Sequence, residues 1–249
     1  KYATLSRTAA LSRQLSIFFK YYIRSILKNG EYHIDGEKKL TERNATIVYS
    51  GGDDVFIVGA WNEVIELSID LQEKFKKYTQ GTLSISSGIG IYECTYPIGA
   101  IANETGEMEA ESKRMPEKDS VTLMDDGETH LINELEICDG TYRWEELYKS
   151  VLGEKYDVIQ DFLGESDERG MSFLYRMLEL IRNQKEKINF ARFVYLLSRL
   201  EPDKEGEKKE KYRKFSRKMY QWVQSEKDCR ELKTAINLYA YMHREKGAH

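Results

Sequence analysis

Cysteine, histidine and long apolar runs are all scarce in this chain of 249 residues. Its three cysteines, Cys94, Cys138 and Cys229, lie far apart and form no Cys-x-x-Cys pair. That spacing argues against a disulfide framework or a thiolate zinc site, and fits a reducing cytoplasmic compartment. The four histidines, His33, His130, His243 and His249, show no ligand spacing and read as ordinary surface residues. No stretch is long and apolar enough to span a bilayer, and no secretory leader is read, so no membrane partner is expected. A net charge of −4 does not by itself demand nucleic acid. The chain opens on Lys1-Tyr2-Ala3 inside a helical pattern, as a fragment of a longer protein would.

What is present suits one or two soluble domains, with 41% hydrophobic and 32% charged residues. The centre is Ser50-Gly51-Gly52-Asp53-Asp54-Val55. A short apolar run, Ala45 to Tyr49, precedes it, and another, Val55 to Val58, follows. Two β-branched and aromatic runs joined by Gly-Gly and two acids predict a hairpin. The flanks carry few polar residues, so both strands are expected to be buried. Glycine lets a bulky ligand approach the backbone. Asp53 and Asp54 put two carboxylates at the tip, the donor set that a hard cation shares with substrate phosphates. Two solvated acids on a turn are the plainer alternative.

Around the hairpin, Leu11, Leu15, Phe18, Tyr22 and Ile26 recur at helical spacing and predict a core-facing stripe on a helix from near Tyr2 to Asn29, stopped by Gly30. Glu31 to Arg43 is polar and reads as a mobile loop. Val64, Leu67, Leu71, Phe75 and Tyr78 mark a second helix ending at Gly81. Leu83 to Ile91 alternates apolar and small residues, a strand with one close-approach face. Pro97 opens a third helix towards Arg114. Ser120 to Met124 reads as a closing strand and Asp126-Gly127 as a turn. Beyond Gly140 strand patterns give way to five or six helical stripes, the pattern of an all-helical bundle. The basic run from Lys208 to Lys218, punctuated by Tyr212, Phe215 and Met219, reads as an amphipathic helix with a solvated face.

Tyr49-Ser50-Gly51-Gly52-Asp53-Asp54, followed by Phe56-Ile57-Val58-Gly59-Ala60-Trp61, resembles the palm of the large subunit of type III-A CRISPR effector complexes. That palm is related to GGDEF-type and class III nucleotide cyclases. The resemblance covers nearly the whole chain. It implies an α+β fold: a ferredoxin-like palm with an antiparallel sheet and helices on one face (residues 1–140), then a helical C-terminal domain (141–249). In the family an opening strand carries a further metal-binding Asp before the first helix, and this sequence does not contain it. The family's nuclease domain, with its His-Asp motif, is not in this sequence either, so no DNA cleavage is assigned to these residues.

The implied activity is nucleotidyl transfer from ATP, giving cyclic oligoadenylates. Asp53 and Asp54 would hold Mg or Mn and carry catalysis. Ser12, Ser50, Gly51, Gly52, Ser86 and Lys113 would contact the nucleotide, Lys113 as the triphosphate grip. A lysine at that helix end also simply complements the helix dipole, and small residues near Ser86 also permit close helix packing. The implied partners are the other subunits of the effector complex, guide RNA, target RNA and ATP. Two other readings stay open: a palm kept for assembly or nucleotide binding alone, and a GGDEF-type diguanylate cyclase. In the family two palms share each nucleotide cleft, so residues 1–249 alone are expected to be nearly inactive.

Overall fold

The computed structural model describes residues 4–36, 39–125, 127–164, 168–182 and 187–244. The helix start expected near Tyr2, the Asp126 half of the expected turn and His249 lie outside the described residues. The chain divides into two compact units, Lys1–Trp144 and Glu145–His249. The first is α+β and the second helical.

The first unit opens with α1 (Leu5–Ile17), a π-helical segment (Phe18–Tyr22) and α2 (Ile23–Lys28), run together as one helix. The π segment changes which residues face inward. Phe18, Phe19, Ile23 and Ile26 are buried, whereas Leu11 and Tyr22 of the expected stripe are exposed. A π turn closes i→i+5 bonds and so rotates the following face off an unbroken 3.6-residue period. Phe18 and Phe19 meet Phe75 at ring-centroid distances of 5.1 and 5.6 Å. With Ile26 and Leu67 they form the apolar cluster beneath the hairpin. Each such side chain fully buried contributes about 1.5–3 kcal/mol.

The hairpin is β1 (Ala45–Gly51) and β2 (Asp54–Gly59), antiparallel, with its register broken between Ile47 and Tyr49. The expectation that both strands are buried fails. Every residue of the two strands is exposed or half-buried, and Val48 and Tyr49 are exposed. Among the described residues β1 and β2 pair only with each other, so neither outer edge of the hairpin is covered by another strand. Next come α3 (Trp61–Tyr78), β3 (Ser87–Ile89), α4 (Ile98–Ser112) and β4 (Ser120–Leu123). Helix α3 stops at Gly81, whose φ of 71° lets its N–H return to the Lys76 carbonyl at 2.8 Å.

The sheet is mixed rather than wholly antiparallel. Strand β3 runs parallel to β4, and β4 pairs antiparallel with β7 (Thr141–Arg143). The intervening α4 returns the chain to the same end, which is what a parallel pair requires. Strand β4 is buried throughout. Of its two buried hydroxyls, Ser120 donates to the Ser112 carbonyl at 2.6 Å and Thr122 shares a 2.8 Å hydrogen bond with its cross-strand partner Thr141. A second hairpin, β5 (Thr129–Ile132) and β6 (Leu135–Cys138), lies between β4 and β7. Strand structure thus continues to Arg143.

The Glu31–Arg43 segment is not a free loop in its described part. Gly30 and Thr41 form a β-bridge. Arg43, its side chain 1% exposed, lies between Glu66 and Asp70, which are 8% and 4% exposed. Asp70 also accepts the backbone N–H groups of Glu31 (3.1 Å) and Tyr32 (2.9 Å), and Glu66 accepts that of Ile34 (2.9 Å). The Arg43 guanidinium donates in turn to the Tyr32 carbonyl. His33 is half-buried with Nδ1 3.6 Å from Glu66, not a surface histidine. Helix α3 supplies both acids at i and i+4, on its inward face.

In the second unit α5 (starting at Trp144, through Glu146), a π-helical segment (Leu147–Tyr156) and α6 (Asp157–Leu163) are continuous. Then follow α7 (Glu168–Arg182), α8 (Lys187–Ser198), α9 (Glu207–Trp222) and α10 (Glu226–Arg244). Helix α9 buries Tyr212, Phe215, Met219 and Trp222. Its basic face is paired with acids: Lys209 with Glu205, Lys214 with Asp161, Lys218 with Glu154. Buried Lys155 sits 2.9 Å from Asp228 and bonds Glu231, with its ammonium 5.1 Å from the Trp222 ring centroid. Three partners offset the cost of burying that charge.

Candidate active site

The hairpin tip is closed by the Gly51–Asp54 pair, leaving Gly52 and Asp53 as a two-residue loop. Gly52 has φ 68° and Asp53 is not left-handed, the sign pattern of a glycine-first tight hairpin turn. A Cβ at Gly51 would lie 2.3 Å from Oη of the exposed Tyr49, so a side chain there would have to push the tyrosine ring aside. The irregularity at Val48 is the kind of bulge that re-aims side chains next to active sites.

Asp53 and Asp54 both project from this tip and are exposed. Neither carboxylate makes a hydrogen bond or close ion pair with another described residue, so both keep their oxygens for an outside ligand. Among the described residues no cluster of three or more His, Cys, Asp or Glu side chains is placed to hold a metal. Two carboxylates fit a cation whose other ligands are phosphate oxygens and water, as magnesium favours.

Helix α4 brings a third charged group into electrostatic range of the tip. Lys113 caps its C-terminus, half exposed, with Nζ 2.7 Å from Glu109 one turn earlier. The bond to Glu109 holds the lysine above its ordinary pKa, and the charges of Asp54 and Asp53 add to that effect. The ammonium therefore lies within electrostatic reach of both tip acids, although it is 59 positions from Asp54 in sequence. Gly88 on β3 makes this approach possible. A Cβ at Gly88 would sit 2.3 Å from the Thr105 carbonyl and 2.5 Å from the Glu109 nitrogen, so α4 packs directly on the strand backbone.

The serines divide differently. Ser50 donates its hydroxyl to the Phe19 carbonyl at 2.8 Å, tying the hairpin to the π segment. Ser86 donates to the Lys118 carbonyl at 2.6 Å and precedes β3, which pairs with β4 and not with the hairpin. Both hydroxyl protons are thus committed to backbone. Ser12 is exposed on α1, a helix with no buried residue. Glu109, which orients Lys113, is marked in the sequence only by its i,i+4 spacing to the lysine.

Two family descriptions match the chain: "Cas10/Cmr2, second palm domain" over residues 1–122, and "CRISPR RNA silencing complex Cmr2 subunit, second helical domain" over residues 160–245. The subtype III-A Cas10/Csm1 of Mycobacterium tuberculosis, named a single-strand-specific deoxyribonuclease, is 41% identical over 247 residues, 99% of this chain and 29% of that protein. The chain belongs to the Cas10/Csm1 family. The Cas10/Csm1 of Streptococcus thermophilus is 36% identical over 97% of this chain and 29% of its own length. A solved Csm1–Csm4 cassette in complex with pppApApA superposes with a TM-score of 0.65 at 26% identity, covering 94% of this chain and 34% of that one. The chain thus spans under a third of the curated Cas10/Csm1 relatives it matches.

Proposed function

We propose that this palm joins ATP molecules by nucleotidyl transfer, within a type III-A effector complex, to make cyclic oligoadenylates for antiviral defence. The observation that carries the reading is the pair of exposed acids Asp53 and Asp54 at one glycine turn, with the Lys113 ammonium within their electrostatic reach. The Csm1 relative solved with pppApApA supports a linear oligoadenylate as intermediate.

Asp53 and Asp54 would hold Mg or Mn. When bound, the ions would acidify an attacking 3′-hydroxyl and steady the leaving pyrophosphate. Lys113, pre-oriented by Glu109, would neutralise triphosphate charge as a rotatable point cation. The backbone at Gly51 and Gly52 has no side chain to keep phosphate oxygens away. Ser50 acts at one remove, by fixing the hairpin against Phe19. Positioning and charge neutralisation are the main demands of this chemistry, so few side chains suffice. The partners proposed are a Csm4-type subunit, the remaining effector subunits, guide RNA and target RNA, in the cytoplasm.

Incubating the assembled complex with ATP or with GTP and resolving the products by mass spectrometry tests the reading. Cyclic oligoadenylates from ATP support it. Cyclic diguanylate from GTP would make the palm a GGDEF-type cyclase, and no product from either would leave an assembly palm.

A further inference from the structure

The first 30 residues carry six lysines and arginines and not one Asp, Glu or His, in a chain whose net charge is −4. Arg13, Lys20, Arg24 and Lys28 are all exposed on the α1–π–α2 helix, and none forms an ion pair with a described residue. Lys20, Arg24 and Lys28 follow one another at i+4, a row with about 6 Å of axial rise per step. The basic face of α9 differs, since Lys209, Lys211, Lys214 and Lys218 are each matched by an acid. Among these cations stands Tyr21, 70% exposed. Tyr22 beside it is also exposed.

We infer that this helix face is a docking surface for single-stranded nucleic acid, its cations tracking the phosphates and Tyr21 offering a ring for a base to stack on. A row of unpaired cations interleaved with an exposed aromatic is the chemistry that binds single strands without reading sequence. A bilayer surface is the other polyanion a basic helix meets, but it needs a free apolar face. Here the aliphatic and phenylalanine side chains beside the Lys20–Arg24–Lys28 row, Phe18, Phe19, Ile23 and Ile26, are already buried in the core of the first unit. The surface is independent of the hairpin chemistry, because none of its residues belongs to the tip.

The test is fluorescence anisotropy of the intact subunit carrying this chain with a labelled mixed-sequence single-stranded RNA, and with DNA of the same sequence, across salt. The variant is Lys20→Gln/Arg24→Gln/Lys28→Gln, compared with Tyr21→Ala. Each lost phosphate contact flattens the slope of log affinity against log salt by about 0.7 for single strands. The triple variant should therefore be about 18-fold less salt-sensitive between about 50 and about 200 mM salt, on RNA, DNA or both. Tyr21→Ala should weaken binding without changing that slope, and 4-thiouridine RNA should crosslink to the Tyr21 peptide. Unchanged slopes with both nucleic acids, in a triple variant that melts like wild type, would overturn the inference. So would a loss of binding to phosphatidylserine vesicles with nucleic-acid affinity intact, which would make the face a membrane contact.

Discussion

Replacing Arg43 by Met should destabilise the first unit by about 3–5 kcal/mol near neutral pH, because it strands two buried carboxylates. The side chains involved are 1%, 8% and 4% exposed for Arg43, Glu66 and Asp70, so water cannot take over from the lost guanidinium. For a unit of this size that corresponds to a fall in Tm of roughly 10 °C. The pH dependence gives a second handle. Burial holds Glu66 above the ordinary carboxylate range even with Arg43 beside it. A carboxyl whose folded pKa is raised binds more protons when folded, so its ionisation lowers stability as pH rises from its unfolded value through its folded one. Without Arg43 that rise is steeper, and Glu66 takes up a proton more readily. The deficit of Arg43→Met should therefore shrink when urea melts are repeated at about pH 5. Replacing all three groups, as Arg43→Met/Glu66→Gln/Asp70→Asn, should recover part of the loss. A single variant within about 0.5 kcal/mol of wild type, or a deficit unchanged at low pH, would refute the reasoning.

Lys113→Ala should raise the ATP concentration needed for turnover while leaving the melting temperature within error, since the side chain is half exposed; superimposed ATP titrations would remove it from the site. Gly88→Ala should cost about 1–3 kcal/mol and lower activity as well, because the new methyl must push α4, and with it Lys113, off the strand. Differential scanning calorimetry with an ATP assay checks both halves. In the second unit Lys155→Met should cost about 3–5 kcal/mol by removing the buried cation nearest Glu231 and leaving only Lys227, 3.7 Å away, measured by urea unfolding.

The hairpin, α3, α4 and β4 were legible because each rests on local chemistry: turn glycines, helical period, a proline start, β-branched alternation. The helical second unit was legible for the same reason. What was not legible depends on partners distant in sequence. Arg43 looks like one more charge in a polar stretch until Glu66 and Asp70, on the next helix, enclose it. The π segment at Phe18–Tyr22 leaves no mark in a periodicity count, yet it decides that Phe19 and Ile23 are buried while Tyr22 is not. An apolar strand need not be a buried one: Val48 and Tyr49 are exposed on a hairpin that pairs with no other described strand. At the tip, Asp53, Asp54 and the turn glycines followed from the motif. Lys113 needed both the family likeness and the packing of α4 to be placed. Ser50 and Ser86 show the limit of reading hydroxyls from sequence, since both are spent on backbone carbonyls.

The most direct measurement is oligoadenylate synthesis by the assembled, target-RNA-bound complex carrying Asp53→Ala/Asp54→Ala. Both acids are exposed, so the complex should assemble and melt like wild type. Cyclic product from ATP should fall to background. Undiminished product from that double variant would contradict the assignment of catalysis to this turn.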